Sequence, residues 1–151
     1  MEQSKHDVTQ HLIEAGWHVG RVFDFSEYAQ ALIEDGYDIS EKVTECLRSY
    51  GGLTIRHSHP KSPDHIDTLH FDAKEAAQGI YPARVDDYVR RTGKSLCPIG
   101  EAYTSHMTLL MAPDGSVYAG YDHILLAFGD SILEAVFSII YKKDEDHSIP
   151  E

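Results

Sequence analysis

The chain has 151 residues, of which 42% are hydrophobic and 25% charged, a size and composition that suit one domain with its own core. Twenty-five acidic residues against thirteen basic ones give a formal net charge of −12 with histidines neutral. Nucleic acids and anionic membranes bind proteins through Lys and Arg, so this balance argues against both as direct partners. Its remaining explanations are solubility and a basic protein partner.

Targeting signals are not evident in the sequence. The longest apolar run, residues 124–128, is strand length and far below the roughly 18 to 20 residues of a membrane span. The first seven residues are polar, unlike a signal peptide. Cys46 and Cys97 each lie in a segment with an apolar pattern, so we expect two buried thiols and not a disulfide framework. A cytoplasmic location is therefore expected.

Apolar periodicity predicts three helices in the first third of the chain, over residues 4–15, after Asp24 and after Ser40. Asp24 and Glu27 fit a capping box, in which the Asp24 carboxylate accepts from the amide of Glu27. Two glycines at 51 and 52 should end the third helix. The predicted inward face of the second helix comprises Phe25, Tyr28, Ala29, Leu32 and Ile33.

The middle of the chain predicts a hairpin followed by two helices. A strand over residues 53–55 should enter a polar loop, residues 57–64, before a second strand at 66–71. Residues 73–77 look like one or two helical turns, and a longer helix should cover 82–92 before Gly93 closes it.

The second half is mostly sheet. Strands are predicted at residues 95–103, 106–111, 117–121 and 124–128, with Met107, Leu109 and Met111 on one face. The sequence Pro113-Asp114-Gly115 is a strong hairpin turn signal, and Ser131 should cap a final helix. We thus expect one α+β domain over residues 1–142, a meander sheet packed by N-terminal and C-terminal helices, and a polar, frayed tail over 143–151.

Histidines and aspartates are concentrated between residues 57 and 72. On a strand, His57 and His59 share a face, from which two imidazoles can reach one zinc ion. This is the sharpest enzyme hypothesis, a metal-dependent hydrolase. The pair runs into Pro60, however, so a rigid ligand geometry is doubtful, and exposed loop histidines among acids are the commoner outcome. The same segment also contains His65, His70, Asp64, Asp67 and Asp72.

Other catalytic signatures are missing from the sequence. It has no Gly-x-Ser-x-Gly elbow and no phosphate loop of the Gly-x-x-x-x-Gly-Lys type. Asp86 and Asp87 are adjacent on a predicted helix, where neighbours face different directions. We therefore expect no catalytic residue, no metal and no cofactor.

Short glycine and aromatic motifs occur in order along nearly the whole chain. They are Ala15-Gly16-Trp17 with Gly20-Arg21, Tyr50-Gly51-Gly52-Leu53, Phe71-Asp72-Ala73, Tyr88 with Arg91 and Gly93, Leu96 with Pro98-Ile99-Gly100, Gly115-Ser116-Val117-Tyr118, and Gly129-Asp130-Ser131. Each motif is weak alone, but their order and spacing together are fairly specific. This arrangement resembles the third subgroup of the SUKH immunity superfamily.

The resemblance implies an α+β fold and a cytoplasmic antitoxin that binds a cognate bacterial toxin. Toxins associated with this subgroup, including LXG-type toxins, are polymorphic proteins whose C-terminal domains are often nucleases or deaminases. The family brings no catalytic residues to carry over. Its wider superfamily also implies regulatory protein-interaction scaffolds, so that role stays open beside the metal-dependent hydrolase. The oligomeric state is left undetermined by the sequence.

An acidic antitoxin complements the basic groove that a nuclease needs for phosphate, and such complementarity raises association rates. We expect the partner-binding charges on loops and exposed helix faces, and partner discrimination in the segment 57–67, because loops on a fixed scaffold carry recognition. The candidate partner-binding residues are Asp64, Asp67, Asp86, Asp87, Asp114 and Asp122.

Overall fold

The computed structural model of the chain describes residues 2–59, 62–141 and 148–151. Within these ranges it contains six helices and six strands. The helices are α1 (Glu2–Glu14), α2 (Ser26–Glu34), α3 (Glu41–Tyr50), α4 (Ala73–Gln78), α5 (Pro82–Thr92) and α6 (Ile132–Tyr141). The strands are β1 (Thr54–His59), β2 (Ser62–His70), β3 (Cys97–Ala102), β4 (Met107–Met111), β5 (Val117–Tyr121) and β6 (Ile124–Gly129).

The six strands form one antiparallel sheet in chain order, β1-β2-β3-β4-β5-β6. Between β2 and β3 the chain leaves the sheet to form α4 and α5, yet it returns beside β2, where His70 pairs with Glu101. The expected α+β domain with a meander sheet is confirmed. Among the described helices, none is both long and apolar enough to cross a membrane.

Both faces of the central strands are buried. Met107, Leu109 and Met111 of β4 lie in the larger apolar cluster, which also takes buried residues from α1, α3 and α6. Leu110 points to the opposite face, where it joins Val85 of α5 in a second cluster. Helices on both faces explain why every residue of β4 is buried, a pattern that a one-sided sheet would not give.

Helix starts follow the sequence rules in two cases and depart from them in one. The Ser40 hydroxyl accepts from the Val43 amide, and the Ser131 hydroxyl accepts from the Glu134 amide, as expected for N-caps. The predicted capping box at Asp24 is wrong. Its carboxylate accepts instead from the amide and hydroxyl of Ser26, because α2 begins at Ser26, one residue later than expected, with Phe25 as its N-cap.

Most of the predicted inward face of α2 is at least half-buried, but Ile33 is 65% exposed. The helix packs against α4, and its Leu32 side chain is fully buried. Ile33 is the next residue along the helix, about 100° further round its axis, so its side chain points away from the core into solvent. The thiols of Cys46 and Cys97 are both buried and free, as expected, and burial raises the pKa of each to about 12.

The first glycine and aromatic motifs converge on the C-terminal end of α3. The Arg21 guanidinium donates to the carbonyls of Ser49 and Gly51 at 2.8 and 2.7 Å, and the Trp17 indole donates to the Ser49 hydroxyl at 3.0 Å. Phe23 lies flat against Gly51, where a Cβ would come within 2.5 Å of its ring. The segment before α2 therefore satisfies carbonyls that the helix itself leaves unpaired.

The end of the chain departs from the expected frayed tail. Residues 142–147 lie outside the described residues, but 148–151 rest on the domain. Ser148 bridges to Leu126 of β6, and the Ile149 amide donates to the Leu125 carbonyl at 2.7 Å. Arg91 of α5 donates to the carbonyls of Ile149 and Pro150, which ties these last residues to both α5 and the edge strand.

Gly120 lies where α5 packs closely against the sheet. A Cβ at this position would come within 2.3 Å of the Tyr88 ring, whose hydroxyl donates to the Asp122 carbonyl at 2.6 Å. We expect Gly120→Ala to lower the free energy of unfolding by about 1 to 3 kcal/mol, because the ring must shift. Tyr88→Phe keeps the ring contact and should cost only about 1 kcal/mol. Urea unfolding measures both, and a Gly120→Ala variant as stable as the wild type would contradict the close-approach explanation.

Candidate functional site at one end of the sheet

Alternation of the strands places three of the connections at one end of the sheet. In an antiparallel sheet paired in chain order, the connections after β1, β3 and β5 all lie at one end, and the β4–β5 turn lies at the other. We call the first end the hairpin end. It comprises the described end of the β1–β2 hairpin at 58–59 and 62–66, residues 103–106 and residues 121–124.

The segment expected as a polar loop, residues 57–64, is strand at 57–59 and at 62–64, so that expectation is wrong for these residues; residues 60 and 61 lie outside the described residues. We call the described residues of segment 57–67 the hairpin arm. Ser58 pairs with Ile66 and His59 with Ser62, and the register shifts between these two pairs, so the ladder continues through an irregular step. All five residues from Ser62 to Ile66 are exposed, which means that both faces of β2 are in solvent there. The apolar pattern ends where the core ends, but the backbone ladder continues beyond it.

Two of the turns at the hairpin end hold unusual backbone geometry. Tyr103, Thr104 and Ser105 have φ values of 54°, 56° and 66°, and Asp122 has a φ of 50°. Non-glycine residues rarely adopt this left-handed region, which costs about 1 to 3 kcal/mol each. Hydrogen bonds from β2 hold the first turn, since the Thr104 amide donates to the Thr68 carbonyl at 3.0 Å. Strain that the surrounding fold maintains is a recurrent property of recognition sites.

Apolar side chains are exposed at this end. Ile66, Tyr121 and Ile124 are 46%, 44% and 42% exposed, and they come from two of the three turns. The Tyr121 ring stacks on His106, with ring centroids 4.3 Å apart, which connects the β5–β6 turn to the β3–β4 turn. A rigid, partly exposed tyrosine beside aliphatic residues is the usual anchor of a protein interface.

Five of the six candidate acids fall into two groups. Asp64 and Asp122 are exposed at the hairpin end, and Asp86 is exposed on α5. Asp87 and Asp114 are instead neutralised within the chain. The Arg90 guanidinium hydrogen-bonds to Asp87 and holds the pKa of that carboxyl below its ordinary value, while Lys94 does the same for Asp114 at 2.8 Å.

The placement of Asp67 on an exposed loop is wrong. It lies in β2, paired across the ladder with His57, and it is only 4% exposed. Its carboxylate accepts hydrogen bonds from the Thr104 hydroxyl at 3.1 Å and from His65 at 3.2 Å. Strand alternation turns Asp67 towards the protein body, so it supports the strained turn and is not available as a surface charge.

The histidines of residues 57–72 do not converge on one zinc ion. His57 and His59 share a face of β1 as expected, but His57 is 3% exposed and His59 lies against His65, with ring centroids 5.8 Å apart. Among the described residues, the one group with metal-ligand spacing is His70 with Glu75 and Glu101. Only His70 belongs to the predicted cluster, and both glutamates were missed.

The strongest concentration of charge lies outside the candidate acids. Residues 24–45 contain seven acidic residues and one lysine, which amounts to half of the net charge of −12, and all seven acids are exposed. Of the seven, only Glu45 forms an ion pair with another described residue, to Lys42. A count of charge along the sequence would have identified this segment, because short amphipathic helices leave their polar faces in solvent.

A cleft of about 280 Å³ lies at the opposite end of the sheet, between α3, the β4–β5 turn and the start of α6. Its walls include Glu45, Asp114 and the buried thiol of Cys46, whose pKa of about 12 leaves it protonated and unreactive. The cleft therefore offers no reactive thiol.

Comparison with known protein families matches residues 4–142 to the SUKH-3 immunity protein family. No curated protein and no solved structure matches the chain. The family match covers every described helix and strand except the first two residues of α1.

His57 makes the stability of this end dependent on pH. Its Nδ1 donates to the Ser58 carbonyl at 3.2 Å, and its Nε2 is buried with no partner among the described residues. Burial lowers the pKa of His57 in the folded protein, so the stability it contributes is present above the unfolded-state pKa of about 6.5 and is lost as the pH falls.

Between pH 7 and 5.5 we expect the wild type to lose stability faster than His57→Gln, by at most about 1.4 kcal/mol per pH unit. Urea midpoints at several pH values measure the difference. His18→Gln, which removes an exposed histidine, should follow the wild type. Parallel curves for wild type and His57→Gln would contradict the buried-histidine explanation.

Proposed function

Because this chain belongs to the SUKH-3 immunity protein family, we propose that it is a cytoplasmic antitoxin that binds one cognate toxin and holds it inactive. The family match over residues 4–142 is the observation that carries the proposal. The family assignment implies a binding role.

The proposed partner is a toxin with a basic active-site groove, of the nuclease class. A net charge of −12, half of it on exposed acids of residues 24–45, produces a long-range field that attracts a basic protein. Such a field raises the association rate and rejects acidic proteins, but it does not by itself fix the bound geometry. Contact residues must supply that geometry.

We place the contact surface at the hairpin end. It combines exposed apolar anchors and two exposed acids near the ends of paired strands with turns that the fold holds in strained conformations. Discrimination between toxins is assigned to the arm in segment 57–67, where the residues Ser62–Ile66 expose both faces of β2 to a partner. Asp64, Asp122 and, on α5, Asp86 are the proposed rim charges.

Growth rescue tests the function and the surface together. Coexpression with the toxin encoded by the neighbouring gene should restore growth if the chain is its antitoxin. Replacing two apolar residues of the hairpin end, Ile66→Ser with Tyr121→Ser, should weaken toxin binding at least tenfold, because a buried anchor is commonly worth about 2 kcal/mol.

The matched control removes apolar residues that are still more exposed but lie elsewhere, Val19→Ser with Ile33→Ser, at 86% and 65% exposure. This control should protect like the wild type. Failure of the wild type to rescue growth would overturn the proposed function, whereas equal loss in both double variants would leave the function standing and move the contact surface.

Salt dependence tests the role of charge. The association rate should fall as salt rises from about 50 to 500 mM, while dissociation changes little, because screening acts on long-range attraction and less on desolvated contacts. Asp64→Asn with Asp122→Asn should lower the association rate and flatten its salt dependence, and Asp86→Asn should have a smaller effect of the same sign.

Glu41→Gln with Glu45→Gln provides a control with the same net charge at the opposite end. Lys42 stands between these two residues in the sequence, and its side chain packs against Gly115 of the β4–β5 turn, which places the pair at that end of the sheet. Stopped-flow kinetics should show a smaller change for this pair than for Asp64 and Asp122. If the association rate is constant across the salt range, the net charge does not steer association and serves only solubility.

A further inference from the structure

Three side chains from three elements meet beneath the β3–β4 turn. The Nε2 atom of His70 in β2 lies 3.1 Å from Oε1 of Glu101 in β3 and 3.5 Å from Oε2 of Glu75 in α4. All three ligand atoms lie within 4.8 Å of one another. We call these residues the corner triad. Ligands held at about 2.0 to 2.2 Å by a tetrahedral zinc ion are separated by roughly 3.3 Å, so small movements would bring the triad to coordination distance.

Backbone features of the fold position the triad before any ligand binds. Gly100 allows β2 and β3 to approach so closely that a Cβ there would come within 2.4 Å of the His70 carbonyl oxygen. Asp72 caps α4 through the Glu75 amide at 2.9 Å, which fixes the helix turn that carries the Glu75 side chain. His70 and Glu101 are direct partners in the strand ladder.

The charges of the triad are not balanced by the protein. The Glu101 side chain is 8% exposed, and burial raises the pKa of its carboxyl above the ordinary value. His70 can offer a single Nε2 proton to two carboxylates, and Ser105 supplies a further hydrogen bond to Glu101. Within residues 2–59, 62–141 and 148–151, neither glutamate forms an ion pair with a lysine or an arginine.

We propose that the corner triad binds a divalent cation of the zinc class, through His70 Nε2 and one oxygen each of Glu75 and Glu101. Imidazole with carboxylates is a donor set of zinc and its neighbours, whereas calcium and magnesium prefer oxygen ligands alone. The bound cation would neutralise a partly buried pair of carboxylates and join α4 to the two strands.

The role of this cation is structural. Ser105 belongs to the strained turn of the hairpin end and also contacts Glu101, so the bound cation would stiffen the turn from below. The site is separate from the histidines of the hairpin arm, and its existence does not depend on the identity or presence of a toxin.

The test is calorimetric titration of the untagged, chelator-treated protein with zinc chloride. The wild type should bind one zinc ion per chain and melt at a higher temperature when it is loaded. Glu75→Gln, His70→Asn and Glu101→Gln should each weaken binding at least tenfold. Glu75 is the decisive position if the buried variants fail to fold, because its side chain is 59% exposed and its loss should leave the domain intact.

Two controls separate the triad from casual zinc binding by histidines. His59→Asn with His65→Asn, which removes the neighbouring pair of the arm, should leave the stoichiometric site unchanged, and calcium should not compete for it. The proposal is overturned if the wild type binds no zinc, if the arm variant loses the site while Glu75→Gln keeps it, or if calcium displaces zinc at equal concentration.

Discussion

Hydrogen bonding between strands that follow one another along the chain determines where every connection of this protein lies. Because β1 to β6 pair in order, their connections alternate between two ends of the sheet, and three of them lie at the hairpin end. Helices cover both faces of the central strands β4 and β5, so these faces are unavailable for contacts. The strained turn at residues 103–105 is held by β2, and so is the corner triad. A change in strand order would separate all of these features.

The candidate acids differ in how their charges are used. At the β4–β5 turn, Asp114 forms an ion pair with Lys94. On α5, guanidinium nitrogens of three arginines lie within 3.6 Å of the Asp87 carboxylate. The charges of these two acids are therefore already paired within the fold. At the hairpin end, Asp64 and Asp122 face solvent beside exposed apolar side chains. An acid that is already paired loses part of its attraction for a partner, whereas an exposed acid retains it. The distribution therefore favours the hairpin end as the contact surface, with residues 24–45 contributing the long-range field.

Pattern and spacing predicted the fold class, the order of elements, the Ser40 cap and the burial of both cysteines, because each depends on local chemistry or on apolar periodicity. Pattern could not place Asp67, because whether a polar strand residue faces solvent or the protein body depends on the ladder register with β1 and on a hydrogen bond from Thr104, 37 residues away. Glu101 was missed for the same reason, since its partner His70 is 31 residues distant. The sequence predicts a loop at the hairpin arm because the side chains there are polar, although the described backbone pairs as a strand.

Amide hydrogen exchange of the chain, alone and bound to its toxin, tests the contact surface most directly. The account predicts slower exchange on binding in the β1–β2 arm and in residues 103–106 and 121–124, with no change at the β4–β5 turn on the opposite end. Protection confined to the β4–β5 turn and α3, with the three hairpin turns unchanged, would contradict it.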